Sequence, residues 1–352
     1  MTDPLPARRR TLRSASDLID AGLAAPAACR DLDRVGERYA VAVTPAVADL
    51  IDPADPFDPI ARQYVPSAAE LVDSEAERGD PIGDEAYSPV PGIVHRYPDR
   101  VLLKPIMVCP VYCRFCFRRE AVGDAGGTLD GPRLDAALAY VAGAPAVREV
   151  IVTGGDPFML PPARLAALVE RIARIPHVEL VRFHTRVPVA DPARVTEILA
   201  ASLTPPPGAD LAVWVAVHVN HPRELSPLAR RALAHLADAG LPLLSQSVLL
   251  RGVNDDPQVL ETLFRALVRN RVRPYYLHHP DLARGTAHLR PSLEEGRAIV
   301  KSLRGRLSGI AQPTYVLDIP GGAGKVPVSP EWWDGAAGEV EDWKGGRHPY
   351  PG

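Results

Sequence analysis

Lysine is nearly missing from this 352-residue chain: Lys104, Lys301, Lys325 and Lys344 are the only ones, and arginine makes up the rest of its 40 basic residues. Cysteine is as scarce, with four residues, which excludes a disulfide framework. The 40 basic side chains face 43 acidic ones, and a formal charge of −3 gives no general attraction to nucleic acid or to an anionic membrane. No apolar run approaches the roughly 18 residues that cross a bilayer. The longest, Leu211 to Val219, is strand-sized and ends in polar residues. Met1 to Leu18 mixes Pro, Arg, Asp and Ser with no apolar signal-peptide segment, and Arg8-Arg9-Arg10 reads as a solvated tail. A cytoplasmic chain is therefore expected. With 46% hydrophobic and 24% charged residues, the composition suits one barrel-sized domain with an extension, or two smaller domains.

Residues 1–95 are rich in Pro and Asp, as in the stretch Ile51 to Pro59. Each Pro biases its predecessor away from the helical region, so this part is expected to wrap a larger body without a core of its own. Short helices are expected at 14–24 and 67–77. From about residue 100 the pattern becomes regular. Apolar, β-branched runs at 101–108, 148–153, 178–184, 211–218, 242–249 and 272–278 each precede a helical period, at 130–142, 162–174, 191–202, 225–239, 256–270 and 292–304. A last strand is expected at Thr314 to Ile319. Serial strand–helix units predict parallel strands with helices outside. A partial (β/α)6 TIM-like barrel and a doubly wound open sheet both satisfy the pattern. In either, functional groups gather at the C-terminal strand ends.

The sequence Cys109-Pro-Val-Tyr-Cys113-Arg-Phe-Cys116 follows the first of these strands. Three thiolates at this spacing fold around one centre and suit an iron–sulfur cluster or zinc. A structural zinc usually takes four protein ligands, and no fourth Cys or His lies nearby. At the other end of the chain, Asp318-Ile-Pro-Gly-Gly-Ala-Gly-Lys325 is not a phosphate loop: Ile319 stands where the first Gly belongs and Val326 follows the Lys. Glycines beside a rare lysine would let its amine move onto and off a carbonyl. Taken alone, a surface loop explains them equally well.

The CxxxCxxC spacing with an aromatic residue before its last Cys resembles the radical S-adenosylmethionine superfamily, and the chain from about 50 to 330 resembles the lysine 2,3-aminomutase family. The blocks that carry the likeness are Ser88 to Arg100, Cys109 to Arg119, His218 to Pro222, Ser245 to Asn254, Arg273 to Leu277 and Leu317 to Pro327. The resemblance implies an α/β fold, a partial (β/α)6 TIM-like barrel of the radical SAM type with an N-terminal helical extension. It sets a Pro-rich, partly helical extension at 1–95, a core barrel with the lysine loop at 96–325 and a C-terminal tail at 326–352.

It further implies a [4Fe–4S] cluster on Cys109, Cys113 and Cys116, with S-adenosylmethionine contacted by Gly154, Gly155, Asp156, His218 and Gln246. Pyridoxal 5′-phosphate would form its aldimine with Lys325, held by Arg96, Tyr97 and Arg100. Arg118 would bind the substrate carboxylate, and Asp281 and Asp318 its terminal ammonium. The implied reaction moves an amine from C2 to C3 of L-lysine after a 5′-deoxyadenosyl radical takes a hydrogen. An electron donor of the flavodoxin or ferredoxin type and a homo-oligomer come with it, and neither nucleic acid nor membrane. Arginine or ornithine as substrate, or β-lysine supply for elongation factor P modification, are the alternatives. Two departures from the clostridial-type pattern stand out. Phe115 replaces a His, and Asp256 and the cysteine-free C-terminus replace zinc ligands, so no zinc is expected.

Overall fold

A computed structural model describes residues 10–123 and 125–350. Arg8 and Arg9 lie outside them; Arg10 pairs with Asp17. The centre is a nine-stranded sheet in simple sequence order. Strand β1 (Ile93–Tyr97) is antiparallel to β2 (Arg100–Ile106). Strands β2, β3 (Glu149–Gly154), β4 (Leu180–Thr185), β5 (Ala212–His218), β6 (Leu243–Val248), β7 (Val272–His278) and β8 (Thr314–Ile319) pair in parallel. An antiparallel β9 (Gly324–Pro327) closes the series. This is the expected partial barrel of parallel strands, and each strand core falls within two residues or so of its expected place.

The alternation along the strands builds both the core and the cavity. Val101, Leu103, Val150, Val152, Val181, Phe183, Val215 and Val217 face outward into the main apolar cluster. Their period-2 neighbours, among them Glu149, Thr153, Arg182, His184 and His218, face inward and line a cavity. The sheet is thus apolar outside, against the helices, and carries polar side chains inside, where they share the lining with Leu102, Ile151 and Ala216.

Four short helices precede the barrel: α1 (Ala15–Asp20), α2 (Cys29–Arg38), α3 (Pro45–Ala48) and α4 (Ala61–Tyr64). The outer layer is α5 (Gly131–Ala142), α6 (Pro162–Ala173), α7 (Val187–Ala190), α8 (Glu197–Ala201), α9 (Pro227–Asp238), α10 (Pro257–Arg269) and α11 (Leu293–Ser302). Side chains of Asp130, Thr196, Ser226, Asp256 and Ser292 cap α5, α8, α9, α10 and α11. The cap role of Asp256 is purely local.

Several expectations need correction. The helix expected at 191–202 is split into a 3₁₀ turn at Pro192–Arg194 and the five-residue α8, because Thr196 starts a new helix. The segment 67–77 makes only a 3₁₀ turn, Ala68–Leu71. Helix α2 was not expected, since only Leu32 and Val35 give it a buried face. The extension and the barrel share a cluster, in which Leu12, Leu18, Val43, Ile60 and Tyr64 pack with Val111 and Ala190 of the barrel. After β9, strands β10 (Trp333–Asp334), β11 (Glu339–Glu341) and β12 (Arg347–Pro349) form a small antiparallel sheet that the sequence does not announce.

Glu70 ties the extension to the cysteine segment. It is fully buried, accepts from Arg114 Nε at 3.0 Å on each oxygen, and also pairs with Arg119. Arg119 stacks on Tyr39 with its guanidinium carbon 3.6 Å from the ring centre. Removing one member of such a buried network leaves uncompensated charge, at about 3–5 kcal/mol. Glu70→Gln is expected to lower the urea-denaturation free energy by that amount; a change under about 1 kcal/mol would mean the pair is not structural.

Candidate active site

One cavity of about 700 Å³ at the C-terminal ends of the strands is lined by every residue singled out above for cluster, cofactor or substrate. The strand ends explain the gathering. Gly154 ends β3, His218 ends β5, Gln246 lies near the end of β6 and Asp318 near the end of β8.

Cys109, Cys113 and Cys116 lie on the segment after β2. Burial pushes all three thiols up, Cys116 to about 11. Arg186 donates to Cys113 Sγ at 3.2 Å and to Glu224 at 2.7 Å, and Tyr64 donates to the same carboxylate oxygen. Arg186 also lies over the Phe115 ring, which packs 5.5 Å from His218. Among the described residues no three metal-ligating side chains converge on one point, as a single ion requires. A cubane attaches each thiolate to a different iron, so its sulfurs surround a volume instead.

Gly154 and Gly155 lie against the strand that leads into the cysteines. A Cβ on Gly154 (φ +111°) would stand 2.6 Å from Ile106 O, and one on Gly155 2.5 Å from Val108 O. Their backbone approaches this segment as only glycine allows. The Asp156 carboxylate is engaged inside the protein, by Thr185 Oγ1 at 2.8 Å and by the Arg186 and Val187 amides. It positions the segment after β4 while itself lining the cavity. His218 Nε2 pairs with Asn220 at 3.0 Å, and Gln246 meets His184 at 3.2 Å.

Lys325 is on a strand, not a free loop. Antiparallel pairing of β8 and β9 sets Lys325 opposite Asp318, with the glycines 321, 322 and 324 making the turn. Its amide donates to Tyr97 Oη at 2.6 Å. Its ammonium pairs with Asp318 and lies 3.2 Å from His278 Nδ1. Burial opposes ionisation of Asp318, but the Lys325 charge, with the His278 ring 3.7 Å away, outweighs it and brings its pKa down to about 2. Asp281 behaves oppositely: burial, then the charge of Asp318, push it up to about 7.

Arg118 gives Nε to Asp84 at 2.7 Å, and Asp84 also pairs with Arg96 at 3.4 Å and Lys104 at 3.8 Å. A guanidinium has five donors, so others remain for a ligand. Arg100 stacks on Tyr97 at 3.8 Å and pairs with Asp99 at 2.7 Å. Four buried polar atoms of this lining have no partner: Arg96 Nε, Arg186 Nε, Asp281 Oδ1 and His278 Nε2. Orphans clustered in one polar cavity mark where a polar ligand belongs.

The sequence did not single out Asp84, His184, Arg186 or His278. For His184 and His278 a signal existed, a polar residue closing an expected strand. For Asp84 and Arg186 none did, because their partners are distant in the chain.

A family model described as the Radical SAM superfamily matches residues 103–263, and one described as Lysine-2,3-aminomutase matches residues 300–336. The chain is 44% identical to the L-lysine 2,3-aminomutase of Clostridium subterminale, over 83% of this chain and 69% of that one. It is 43% identical to the enzyme of the same name from Acetoanaerobium sticklandii, over 83% and 70%. Identity to the glutamate 2,3-aminomutase of Clostridioides difficile is 35%, over 88% and 76%.

Asp281 carries a pH prediction. Its pKa rises from 3.8 to about 7 on folding, so over this window the folded chain keeps a proton that the unfolded chain has lost. Stability drains away as pH rises from about 4 to about 7 and the loss then levels off. Asp281→Asn removes that loss. Its stability relative to the unsubstituted chain should climb across the window, by a few kcal/mol in total, in urea denaturation at stepped pH. A difference between the two chains that does not vary with pH would contradict the assignment.

Proposed function

The chain belongs to the lysine 2,3-aminomutase family within the radical S-adenosylmethionine superfamily and is a 2,3-aminomutase, an isomerase acting on an amino acid; from that premise we propose that it interconverts L-lysine and β-lysine. Membership implies a [4Fe–4S] cluster and S-adenosylmethionine. No helix among the described residues is long and apolar enough to cross a membrane.

One observation carries the substrate reading: the pocket already seats an alkyl-ammonium, that of Lys325 on Asp318. Beside it, Asp281 presents a buried oxygen without a partner. Two carboxylates near one another resist joint ionisation unless a cation sits between them. A side-chain ammonium relieves both. The γ-carboxylate of glutamate would add a third negative group next to an Asp318 that is firmly ionised.

The remaining roles follow the layout. Cys109, Cys113 and Cys116 hold the cluster, whose irons supply the positive charge that buried thiolates need. Gly154, Gly155, His218 and Gln246 border the S-adenosylmethionine, with Asp156 fixing the neighbouring segment. Arg96, Tyr97 and Arg100 hold pyridoxal phosphate, to which Lys325 links; the orphaned Arg96 Nε fits an anionic group there. Arg118, oriented by Asp84, takes the α-carboxylate of the substrate. When bound, cluster and S-adenosylmethionine supply a carbon radical that abstracts hydrogen, and pyridoxal phosphate supplies the carbonyl that carries the migrating amine. The chain itself orients the substrate between a cationic end at Arg118 and an anionic end at Asp318, and keeps competing reactions out.

Turnover of lysine, ornithine, arginine, norleucine and glutamate by the reconstituted protein tests the substrate. Lysine should lead and glutamate should be inert; glutamate or norleucine turned over as fast as lysine would overturn the reading. Asp318→Asn should weaken lysine binding by about 3–5 kcal/mol, as for breaking a buried pair, and leave iron content alone. A separate measurement covers the lysine itself. Borohydride reduction with peptide mapping should put the phosphopyridoxyl group on Lys325, and a label on Lys104, Lys301 or Lys344 would refute that role.

A further inference from the structure

We propose that His278 takes the proton that Lys325 must lose before its amine can attack a carbonyl. The inference rests on the reading of Lys325 as the cofactor lysine and adds a second residue to its chemistry. An ammonium has no lone pair, so Nζ is inert until one N–H bond breaks. Two groups touch it, Asp318 and His278 Nδ1, the latter at 3.2 Å.

Asp318 is a poor acceptor, held ionised down to about 2. His278 is suited to the task by geometry. It ends β7, where the parallel pairing to β8 and the antiparallel return of β9 bring Lys325 back over it. Nδ1 accepts from the ammonium, which fixes the ring proton on Nε2, an atom that is buried and without a partner.

The charged and titratable groups around the ring are Asp318 from β8, Lys325 from β9, Tyr276 from its own strand, and His184 and His218 across the barrel. Burial first, and then the Lys325 charge, keep His278 neutral, with a pKa of about 4. Proton transfer removes the second of these causes. The new imidazolium stands 3.7 Å from the Asp318 carboxylate that stabilised the ammonium before. Net charge in the cluster does not change, so the transfer needs no counter-ion to enter.

The bookkeeping of atoms is simple. The Nζ–H bond breaks and its proton passes to Nδ1. The freed pair on Nζ adds to the aldehyde carbon of pyridoxal phosphate. The carbonyl π pair moves onto oxygen, which takes a second Nζ proton to become a hydroxyl; His278 then returns the first proton to it, it leaves as water from a protonated imine, and nothing is oxidised or reduced.

The test is the rate at which the full-length, cofactor-free chain takes up pyridoxal phosphate, followed by absorbance and confirmed by borohydride labelling of Lys325. His278→Asn keeps a polar atom near the Nδ1 position without its basicity, and His278→Gln is the second variant. Either should slow uptake near neutral pH by on the order of a hundredfold, the scale of a lost general base. The deficit should shrink toward about pH 10, where solvent takes a lysine proton unaided, and added imidazole should accelerate the variants only. Uptake at the unsubstituted rate, or slowing by one constant factor at every pH, overturns the proposal. The unsubstituted chain gives an answer even if both variants fail to fold. Assisted uptake rises less steeply than about tenfold per pH unit, whereas an unassisted ammonium shows that full slope, and observing the full slope overturns it. Absence of label on Lys325 would instead refute the cofactor assignment.

Discussion

A single buried carboxylate, Glu70, holds the cysteine segment in place. Val111 and Tyr112 anchor the first half of the cysteine segment in apolar clusters, but the loop before Cys116 carries charged Arg114. Glu70 accepts from Arg114 on one side and Arg119 on the other, so both flanks of Cys116 are fixed from outside the barrel. Arg114 also donates to Ala40 O at 2.9 Å, and Gln63 O accepts its amide, binding the segment further to the extension. The geometry of the thiols therefore depends on residues far upstream that touch none of them.

The same device recurs along the extension. Glu77 pairs with Arg290 at 3.0 Å and accepts the amides of Gly285 and Thr286, steadying the segment that follows Asp281. Asp84 gathers Arg118, Arg96 and Lys104. Asp58 takes Arg223 at 2.8 Å. A Pro-rich strap of acids thus neutralises a ring of basic groups at the barrel mouth. It also explains the preference for arginine, whose planar fork bonds a carboxylate through two nitrogens, whereas an ammonium is a strongly hydrated point charge.

Much of the barrel was legible because its strands obey two patterns at once. Runs such as Glu149 to Thr153 are rich in β-branched residues, which marks a strand, and Val181 to His184 alternates apolar with polar, which marks two unlike faces. The polar face could have been solvent; that it is a cavity follows from closure of the sheet, which periodicity does not encode. The cysteines and the glycine–lysine turn were legible as chemistry through their spacing. The strap was not, because an acid in an irregular, proline-punctuated stretch looks the same whether it meets water or a distant arginine. Strand β9 was hidden for a related reason. Gly324-Lys325-Val326-Pro327 has no strand-like composition and is extended only because β8 lies beside it.

The discriminating feature of the pocket is the inequality of its two aspartates. Asp318, paired with Lys325, stays charged at about pKa 2, while Asp281, buried and facing that charge, sits at about 7. A pocket with two fully ionised carboxylates would repel itself open, and one with two neutral acids would accept almost any polar side chain. With one fixed charge and one that ionises near neutrality, a cation entering beside Asp318 also draws the proton off Asp281 and finds a second negative group, whereas an anion finds only repulsion. On the proposed reading, Lys325 occupies this place as the chain's own ammonium until it bonds elsewhere and gives up its charge. The arrival of the substrate ammonium then restores the balance that the lysine had kept.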